Sequence, residues 1–308
     1  MTGAGRNSDR PLLLLGAEGQ LGREVCKLAA ARGFALTALS RRQLDITRRL
    51  DLRDAVDQGF GLVVNAAAYT AVDKAEGDEK RAQAVNGESV GCLAEACRDC
   101  GATLVHISTD YVFDGAKGGP YREDDPPGPL NAYGRSKLAG EVAVRETVAA
   151  HVILRTSWVF GAAGANFVKT MLRLGGEREE LAIVADQFGC PTPAADLAAA
   201  VLTVAGRAGP ETFGTYHCAG AERTSWYDFA WAVFAEQESL TGREGPRLRA
   251  IVTADYPTPA RRPQDSALDS SLFQATFGAG PIDWRQGLKQ VLFELLVQQP
   301  ISRDKGRA

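Results

Sequence analysis

Residues 11–22 have the sequence PLLLLGAEGQLG, and this stretch decides the fold. Its apolar run, Pro11–Leu15, has the length and continuity of a strand that is buried on both faces. The glycines that follow form a GxxGxxG pattern at the start of a helical stretch, Gln20–Arg32. A glycine turn between a strand and a helix brings backbone N–H groups close to an anion such as a pyrophosphate. We therefore predict a dinucleotide-binding βαβ unit here, with a glycine-rich turn that holds no ligand as the alternative.

The first half of the chain continues this alternation of short apolar runs and amphipathic helical stretches. An alternation of this kind predicts an α/β fold with a Rossmann-like, doubly wound parallel sheet. Further strands are predicted at Ala35–Leu39, Gly61–Asn65, Thr103–Ser108 and Val152–Thr156, and helices at Arg53–Gln58, Glu88–Arg98 and Tyr133–Ala149.

From about residue 161 onward the pattern becomes less regular. Helices are predicted at Asn166–Leu174, Ala194–Ala205, Ser225–Glu236 and Trp284–Val297, and short strands near Leu181–Val184, Thr215–Cys218 and Arg249–Val252. We predict a dinucleotide-binding domain over residues 1–160 and a smaller, mixed α/β, mainly substrate-binding domain over residues 161–308. Residues of about 190–215 are expected to return to the first domain.

Composition excludes several classes of protein. The chain has 308 residues and a net charge of −3, which gives no electrostatic footprint for nucleic acid or an anionic membrane. No apolar run approaches the ~20 residues that a membrane span needs. The polar ends, residues 1–10 and 300–308, are expected to be frayed tails, and the first contains no apolar signal core. We expect a cytoplasmic protein.

Six cysteines show no spacing typical of a disulfide scaffold. Cys97 and Cys100 form a CxxC near the end of a predicted helix, but the sequence has no second CxxC and three histidines. We interpret the cysteines as ordinary thiols of a reducing compartment rather than as a redox or zinc site.

Tyr133 and Lys137 are four residues apart, so on a helix they share one face. A free phenol titrates near pH ~10, and a neighbouring ammonium is expected to lower the pKa of Tyr133. Such a phenol can give a proton to a carbonyl oxygen as hydride reaches the carbon. Thr109, or else Ser108, ends the fourth strand and can hold that oxygen. YxxxK alone also occurs on ordinary surfaces, but its order after the glycine turn, NAAA (65–68) and Ser-Thr favours a nicotinamide-dependent oxidoreductase.

The residues after the second strand bear on the choice of cofactor. An acid there would accept the 2′-hydroxyl of NADH, whereas basic residues accommodate the 2′-phosphate of NADPH. This chain has Ser40-Arg41-Arg42. We predict NADPH, with two solvated surface arginines as the alternative interpretation.

This order of motifs resembles the extended short-chain dehydrogenase/reductase family, and within it the dTDP-4-dehydrorhamnose reductases. The resemblance covers most of the chain and implies reduction of the C4 ketone of dTDP-4-dehydro-β-L-rhamnose. The stretches that carry it are LGAEGQLG (15–22), VVNAAAYTAVDKAE (63–76), VHISTDYVFDG (105–115), NAYGRSKLAGE (131–141), LRTSWVFG (154–161), NFVKTMLRL (166–174), DQFGCPT (186–192) and YPTPARRP (256–263).

The resemblance also implies which residues would hold the cofactor. The pyrophosphate would lie along the glycine turn, the adenosine beside the second strand, and the nicotinamide half beside the third strand and the Tyr–Lys helix. The implied residues are, in that order, Gly16, Gly19, Gln20, Leu21 and Gly22; Ser40, Arg41, Asp45 and Ile46; and Ala68, Tyr69, Thr70, Tyr133 and Lys137.

Other residues are implied in chemistry and substrate binding. Tyr133 would donate the proton, Lys137 would bind the nicotinamide ribose, and Thr109 would tune the acidity of Tyr133. Thr109 and Asp110 would contact the sugar nucleotide, and Trp158 would line the sugar pocket, with a buried core aromatic as its alternative.

Two departures from the family pattern leave questions open. Some members carry an acid where this chain has Ser40 and also accept NADH, so NADH remains an alternative to NADPH. Some bind Mg²⁺ at a dimer contact through a glutamate where this chain has Ala195. No metal site is predicted, and Mg²⁺ and a homodimer stay open.

Three alternative functions are kept. The first is reduction of another NDP-4-keto sugar by the same residues. The second is a non-catalytic regulatory subunit similar to that of methionine adenosyltransferase, which the complete Thr109, Tyr133 and Lys137 set disfavours. The third is an NDP-sugar epimerase or dehydratase, which would keep its nicotinamide cofactor tightly bound.

Overall fold

The computed structural model describes residues 11–298. Both predicted tails, residues 1–10 and 300–308, lie outside the described residues. Within the described range, six strands form one parallel sheet in the order β10-β5-β4-β3-β1-β2. They are β1 (Leu12–Leu15), β2 (Leu36–Leu39), β3 (Leu62–Asn65), β4 (Thr103–Thr109), β5 (His151–Thr156) and β10 (Gly214–His217).

Short strand pairs lie outside this sheet. They join β6 to β9, β7 to β12 and β8 to β11. Their bounds are β6 (Val159–Phe160), β7 (Glu180–Val184), β8 (Phe188–Gly189), β9 (Thr192–Pro193), β11 (Thr224–Ser225) and β12 (Arg247–Ile251).

Helices follow most strands. Those of the first half are α1 (Gln20–Arg32), α2 (Arg49–Val56), α3 (Val72–Ala75), α4 (Glu79–Gln83), α5 (Ser89–Cys100) and α6 (Ala132–Thr147). Those of the second half are α7 (Phe167–Glu177), α8 (Ala194–Arg207), α9 (Trp226–Thr241), α10 (Ser271–Phe277) and α11 (Trp284–Phe293). π-helical turns at Ala84–Glu88 and Glu294–Gln298 adjoin α5 and α11.

The continuous apolar run of β1 is explained by burial on both faces of the sheet. Leu12 and Leu14 pack with α1, α8 and α10 on one face, and Leu13 and Leu15 pack with α2, α5 and α6 on the other. Successive side chains of a strand point to opposite faces, so a strand covered on both sides needs an apolar residue at every position. A third core lies among α7, α9 and α11, around the fully buried Trp284.

The predicted α/β class and doubly wound sheet are confirmed, and α1 has the predicted bounds. Other elements differ. The helix predicted at Arg53–Gln58 runs from Arg49 to Val56, and the strand predicted near Thr215–Cys218 joins the main sheet by pairing with β5. The short elements α3, α4 and α10 were not predicted, since seven residues or fewer give too little periodicity to recognise. The domain boundary near residue 160 stays a prediction. No helix within residues 11–298 has the length and apolar character to cross a bilayer.

Candidate active site

The chain reverses direction across the sheet between β1 and β3, which places a crevice at their carboxyl ends. Gly16 leaves β1 with φ of +89°. A Cβ on Gly16 would stand 2.7 Å from the backbone nitrogen of Ala67, and a Cβ on Gly22 would collide with the Gly16 carbonyl oxygen. These two glycines therefore allow the turn, α1 and the segment after β3 to meet at close range.

The start of α1 fits a pyrophosphate. Its N-cap residue, Gly19, has no side chain, and among the described residues no side chain caps the first turn and no acid lies in it. Backbone N–H groups of a first turn have no intrahelical partner, and the helix dipole favours an anion beside them. The first turn of α1 thus offers donors and positive potential with no acid inside it, while Glu18 precedes it in the glycine turn.

Most of the predicted cofactor residues line one cleft of about 360 Å³. Those on its wall are Gly16, Gly19, Arg41, Asp45, Ile46, Ala68, Tyr69 and Thr70. Leu21, Gly22 and Ser40 are buried beside it, and the Ser40 hydroxyl donates to Gln43 Oε1 at 2.9 Å. Gln20 turns to the second half of the chain, where its Oε1 accepts from Asn166 Nδ2 at 2.9 Å.

The first turn of α6 positions Tyr133. Asn131 caps this helix by accepting from the Gly134 N–H at 2.8 Å, and its amide donates to the Arg261 carbonyl at 2.9 Å. A Cβ on Gly134 would collide with the Tyr111 carbonyl oxygen. Close approach at Gly134 brings Tyr133 edge-on to Tyr111, with ring centroids 5.9 Å apart.

Tyr133 lies beside Thr109, whose hydroxyl favours the ionised phenol. Loss of water around the phenol raises the pKa of Tyr133 to about 12, the Thr109 hydroxyl opposes that rise, and the Asp110 carboxylate adds to it. The predicted lowering of this pKa by Lys137 is therefore wrong for this structure, because loss of water dominates and the Lys137 amine is engaged on β4 instead.

Lys137 is 2% exposed, and its ammonium is engaged on the strand beneath the helix. Nζ donates to the Ile107 carbonyl at 2.6 Å and lies 3.3 Å from His106 Nε2. Burial lowers the pKa of Lys137 to about 8, although the charge of Glu141 partly opposes this shift. The i, i+4 spacing correctly placed both side chains on one face, but it did not show that the amine would turn to β4.

Asp110 is a buried carboxylate held by three hydroxyls. Oδ1 accepts from Thr109 at 3.0 Å, and Oδ2 accepts from Ser157 at 3.2 Å and from Ser266 at 2.5 Å. Burial raises the pKa of Asp110 to about 6, although these hydroxyls favour the charged form. Asp110 thus lies next to Thr109 and Tyr133 with both oxygens bonded, and its contact with a sugar stays a prediction.

Trp158 stacks on Trp226, with ring centroids 3.4 Å apart and planes 5° from parallel. Its backbone has φ of +46°, which an L-residue other than glycine rarely adopts. A Cβ on Gly189 would stand 2.5 Å from the Trp158 ring. The ring is therefore clamped between β8 and α9 and packs against the third core, and its place in a sugar pocket stays a prediction.

An ion pair joins the loop before α10 to α3. Arg262 donates to both oxygens of Asp73, with Nη2 to Oδ2 at 2.9 Å and Nη1 to Oδ1 at 3.1 Å. Arg262 also lies close to the Tyr111 hydroxyl. The second half of the chain thereby contacts both the segment beside the cofactor cleft and the ring beside Tyr133.

Within residues 11–298, no three or more His, Cys, Asp and Glu side chains are arranged to hold a metal ion. Cys97 is buried, and burial raises the pKa of its thiol far above the usual value, while Cys100 is exposed.

Comparison with known proteins places this geometry in a family. A family model described as the RmlD substrate binding domain matches residues 10–297. The chain belongs to this RmlD family. A curated relative, the dTDP-4-dehydrorhamnose reductase of Burkholderia thailandensis, is 47% identical, over 93% of this chain and 99% of its own length.

Solved structures agree with the RmlD family assignment. A dTDP-4-dehydrorhamnose reductase of Clostridium acetobutylicum has a TM-score of 0.86 at 38% identity and covers 92% of this chain and 98% of its own. That of Bacillus anthracis, in complex with NADP, has a TM-score of 0.86 at 34% identity and covers 93% of this chain and 99% of its own.

Several site residues of this RmlD family chain were missed by sequence reasoning. Arg81 of α4 lines the cofactor cleft. Asn86, in the π-helical turn, is fully buried and binds both backbone groups of Tyr69, accepting from its N–H at 2.8 Å. Sequence reasoning also missed Trp226, His106 and Arg262. The π-helical turn that contains Asn86 can be recognised only once the backbone is known. Trp226, His106 and Arg262 are distant in sequence from the residues that they contact.

Proposed function

We propose that this protein uses NADPH to reduce the C4 ketone of dTDP-4-dehydro-β-L-rhamnose, which gives dTDP-β-L-rhamnose. The proposal rests on the placement of Thr109 at the end of β4 and of Tyr133 and Lys137 on one face of α6 beside it, in a chain that matches curated dTDP-4-dehydrorhamnose reductases over nearly its full length. A shared sheet alone would support only the fold.

NADPH is supported by the residues of the cofactor cleft. Arg41 and Arg81 both lie on its wall beside Asp45, and two guanidinium groups suit a 2′-phosphate. The NADP-bound Bacillus anthracis neighbour is consistent with this choice. Gly19 and the uncapped first turn of α1 would hold the pyrophosphate.

The chemistry follows from the protonation states of the two central side chains. When bound, the reduced nicotinamide supplies the hydride that C4 accepts. Tyr133 gives its phenolic proton to the ketone oxygen, because the alkoxide that forms there is a stronger base than a phenolate. With a pKa of about 12, Tyr133 retains its proton throughout the neutral range and is available as the donor. Lys137 would bind the nicotinamide ribose, and Thr109 would favour the phenolate left behind.

The experiment is consumption of NADPH and of NADH over a panel of dTDP-, GDP- and CDP-linked 4-keto sugars. We expect the dTDP-linked 4-dehydrorhamnose to react with NADPH and to give the rhamnose product. Preference for another nucleotide would instead support a different keto-sugar reductase, and no turnover of any member would support the regulatory subunit. Stoichiometric NAD in the purified protein would support an epimerase or dehydratase.

Substitution of Tyr133→Phe removes the proton donor and leaves the ring that packs with Tyr69 around α3, α4 and the start of α6. We expect kcat to fall about 10²- to 10⁴-fold, the usual contribution of general acid catalysis, with NADPH affinity unchanged. The matched control is Tyr216→Phe, since the Tyr216 hydroxyl bonds Thr212 at the far edge of the sheet. Near wild-type turnover in Tyr133→Phe would remove Tyr133 from the reaction.

A further inference from the structure

His106 is a fully buried histidine that lies between the segment after β3 and the catalytic helix. Its Nδ1 is 3.2 Å from Asn65 Nδ2, and its Nε2 is 3.3 Å from Lys137 Nζ. The proposed reaction, as described above, gives His106 no role.

The orientation of Asn65 fixes the tautomer of His106. Asn65 Oδ1 accepts from the Ala67 N–H at 3.1 Å, so the NH₂ side of the amide faces the imidazole. Nδ1 must accept from it. Burial and the nearby Lys137 charge hold the pKa of His106 well below its usual value, so the ring is neutral and its hydrogen lies on Nε2.

In this tautomer the Nε2–H of His106, a hydrogen-bond donor, points towards Lys137 Nζ. A charged Lys137 ammonium has three donors and no acceptor, so it cannot accept a hydrogen bond from the His106 Nε2–H. The neutral amine has a lone pair and can accept that bond. A hydrogen of the same amine is given to the Ile107 carbonyl at 2.6 Å. The geometry therefore favours the neutral amine relative to a solvated lysine.

We propose that His106, oriented by Asn65, is a positioning residue that sets the protonation of Lys137. The hydrogen-bond series Ala67, Asn65, His106, Lys137 thereby joins the wall of the cofactor cleft to the amine of the catalytic helix. The inference rests on the proposed reductase only for what Lys137 does, since the hydrogen bonds themselves are independent of it.

The other charged groups around Lys137 act in the opposite direction or are already paired. Glu141, one turn along α6, favours the charged amine. Its carboxylate is also held by Arg155 of β5 at 2.7 Å, by Arg145 of α6 at 3.0 Å and by Ser108 of β4 at 2.6 Å. Tyr133, on the same helix, is protonated and carries no charge.

Two substitutions should place a hydrogen-bond acceptor, in place of the Nε2–H donor, opposite Lys137 Nζ. In His106→Gln, the side-chain amide can turn its carbonyl oxygen towards the ammonium. In Asn65→Asp, a carboxylate oxygen accepts from Nδ1–H, so that Nε2 becomes the acceptor. Both should raise the pH at which Lys137 titrates by about one unit. The matched control is His151→Gln, since His151 lies at the start of β5 and bonds the Val148 carbonyl.

The decisive measurement is NMR of the intact enzyme with ¹⁵N-labelled histidine and ¹³C-labelled lysine. The three histidines of the chain make assignment by His106→Gln straightforward. We expect His106 to carry its hydrogen on Nε2 and the Lys137 titration to move upward in both variants, with the alkaline limb of kcat/KM following it.

A hydrogen on Nδ1 in the wild-type enzyme would overturn the proposal without any variant. So would an unchanged Lys137 titration in a folded His106→Gln or Asn65→Asp protein. These readouts do not depend on turnover. A failure of the reductase assay with the predicted tautomer and titration would therefore count against the proposed function alone.

Discussion

Tyr133 and Lys137 share one helix face, but their surroundings move their pKa values in ways that a solvated Tyr–Lys pair would not show. Loss of water raises that of the phenol to about 12 and lowers that of the amine to about 8. At neutral pH Tyr133 is protonated and Lys137 is still mostly charged, and Lys137 loses that charge as the pH rises through about 8. If the two residues have the proposed roles, Lys137 rather than Tyr133 would limit activity at alkaline pH.

The pH profile of the wild-type enzyme tests this assignment. The lowered pKa of Lys137 means that its charge is complete at low pH and is lost as the pH rises through about 8. We expect kcat/KM to be level between about pH 6.5 and 7.5 and then to fall about tenfold for each further unit above pH 8. A level profile up to pH 10, with the protein still folded, would contradict the assignment.

Arg41 and Arg81 give a second prediction for individual residues. Each lines the cleft, so Arg41→Ala and Arg81→Ala should each raise the Kd for NADPH about tenfold and change that for NADH by less than about twofold. Arg42→Ala is the control, since Arg42 is exposed and adjacent in sequence but does not line the cleft. Equal losses for both cofactors, measured by fluorescence titration, would show that neither arginine reads the 2′-phosphate.

At the scale of the element, the start of α6 determines where the phenol lies. Asn131 caps the helix and binds the Arg261 carbonyl of the loop after Tyr256, and Gly134, in the first turn, lets the helix approach the Tyr111 carbonyl. A frayed first turn would release Tyr133 while leaving the rest of the helix in place. Stability and activity should therefore be linked at this helix end.

Asn131→Ala removes the cap and the bond to the Arg261 carbonyl. The expected loss in the free energy of unfolding is about 1–2 kcal/mol, together with a fall in kcat that exceeds the change in KM. Asn131→Ser is the matched control, because serine keeps the cap and loses the Arg261 bond. Denaturant unfolding and steady-state kinetics measure both effects, and equal kcat values in all three proteins would contradict the link.

Local patterns explain which parts of the fold and site could be predicted. The apolar run of β1, the glycine turn and YxxxK are each contained within a few consecutive residues, so spacing alone predicts the local structure of each one. The direction of the Lys137 amine depends on Ile107 and His106, and the pKa of Tyr133 depends on Asp110. Such contacts come from different elements of the sheet, and no periodicity records them.

At the scale of the whole molecule, polar contacts hold the loop before α10 beside the site. Arg262 and Asp73 are 189 residues apart in sequence and form a two-bond ion pair. Ser266 of the same loop region donates to Asp110. These bonds join the loop to α3 and to Asp110 beside Tyr133. Their removal should therefore change kcat/KM more than the free energy of unfolding.

A double-mutant cycle on Arg262 and Asp73 measures that coupling. Arg262→Ala and Asp73→Asn should each lower kcat/KM about three- to tenfold, and the double variant should lose little more than either one, since both remove the same contact. Arg285 and Glu222 form a comparable but exposed pair beside α11. The same cycle on Arg285→Ala and Glu222→Gln should leave kcat/KM within about twofold, as is usual for surface pairs. Additive losses at Arg262 and Asp73 would mean that the two residues act separately, and that the loop is held over the site by other contacts.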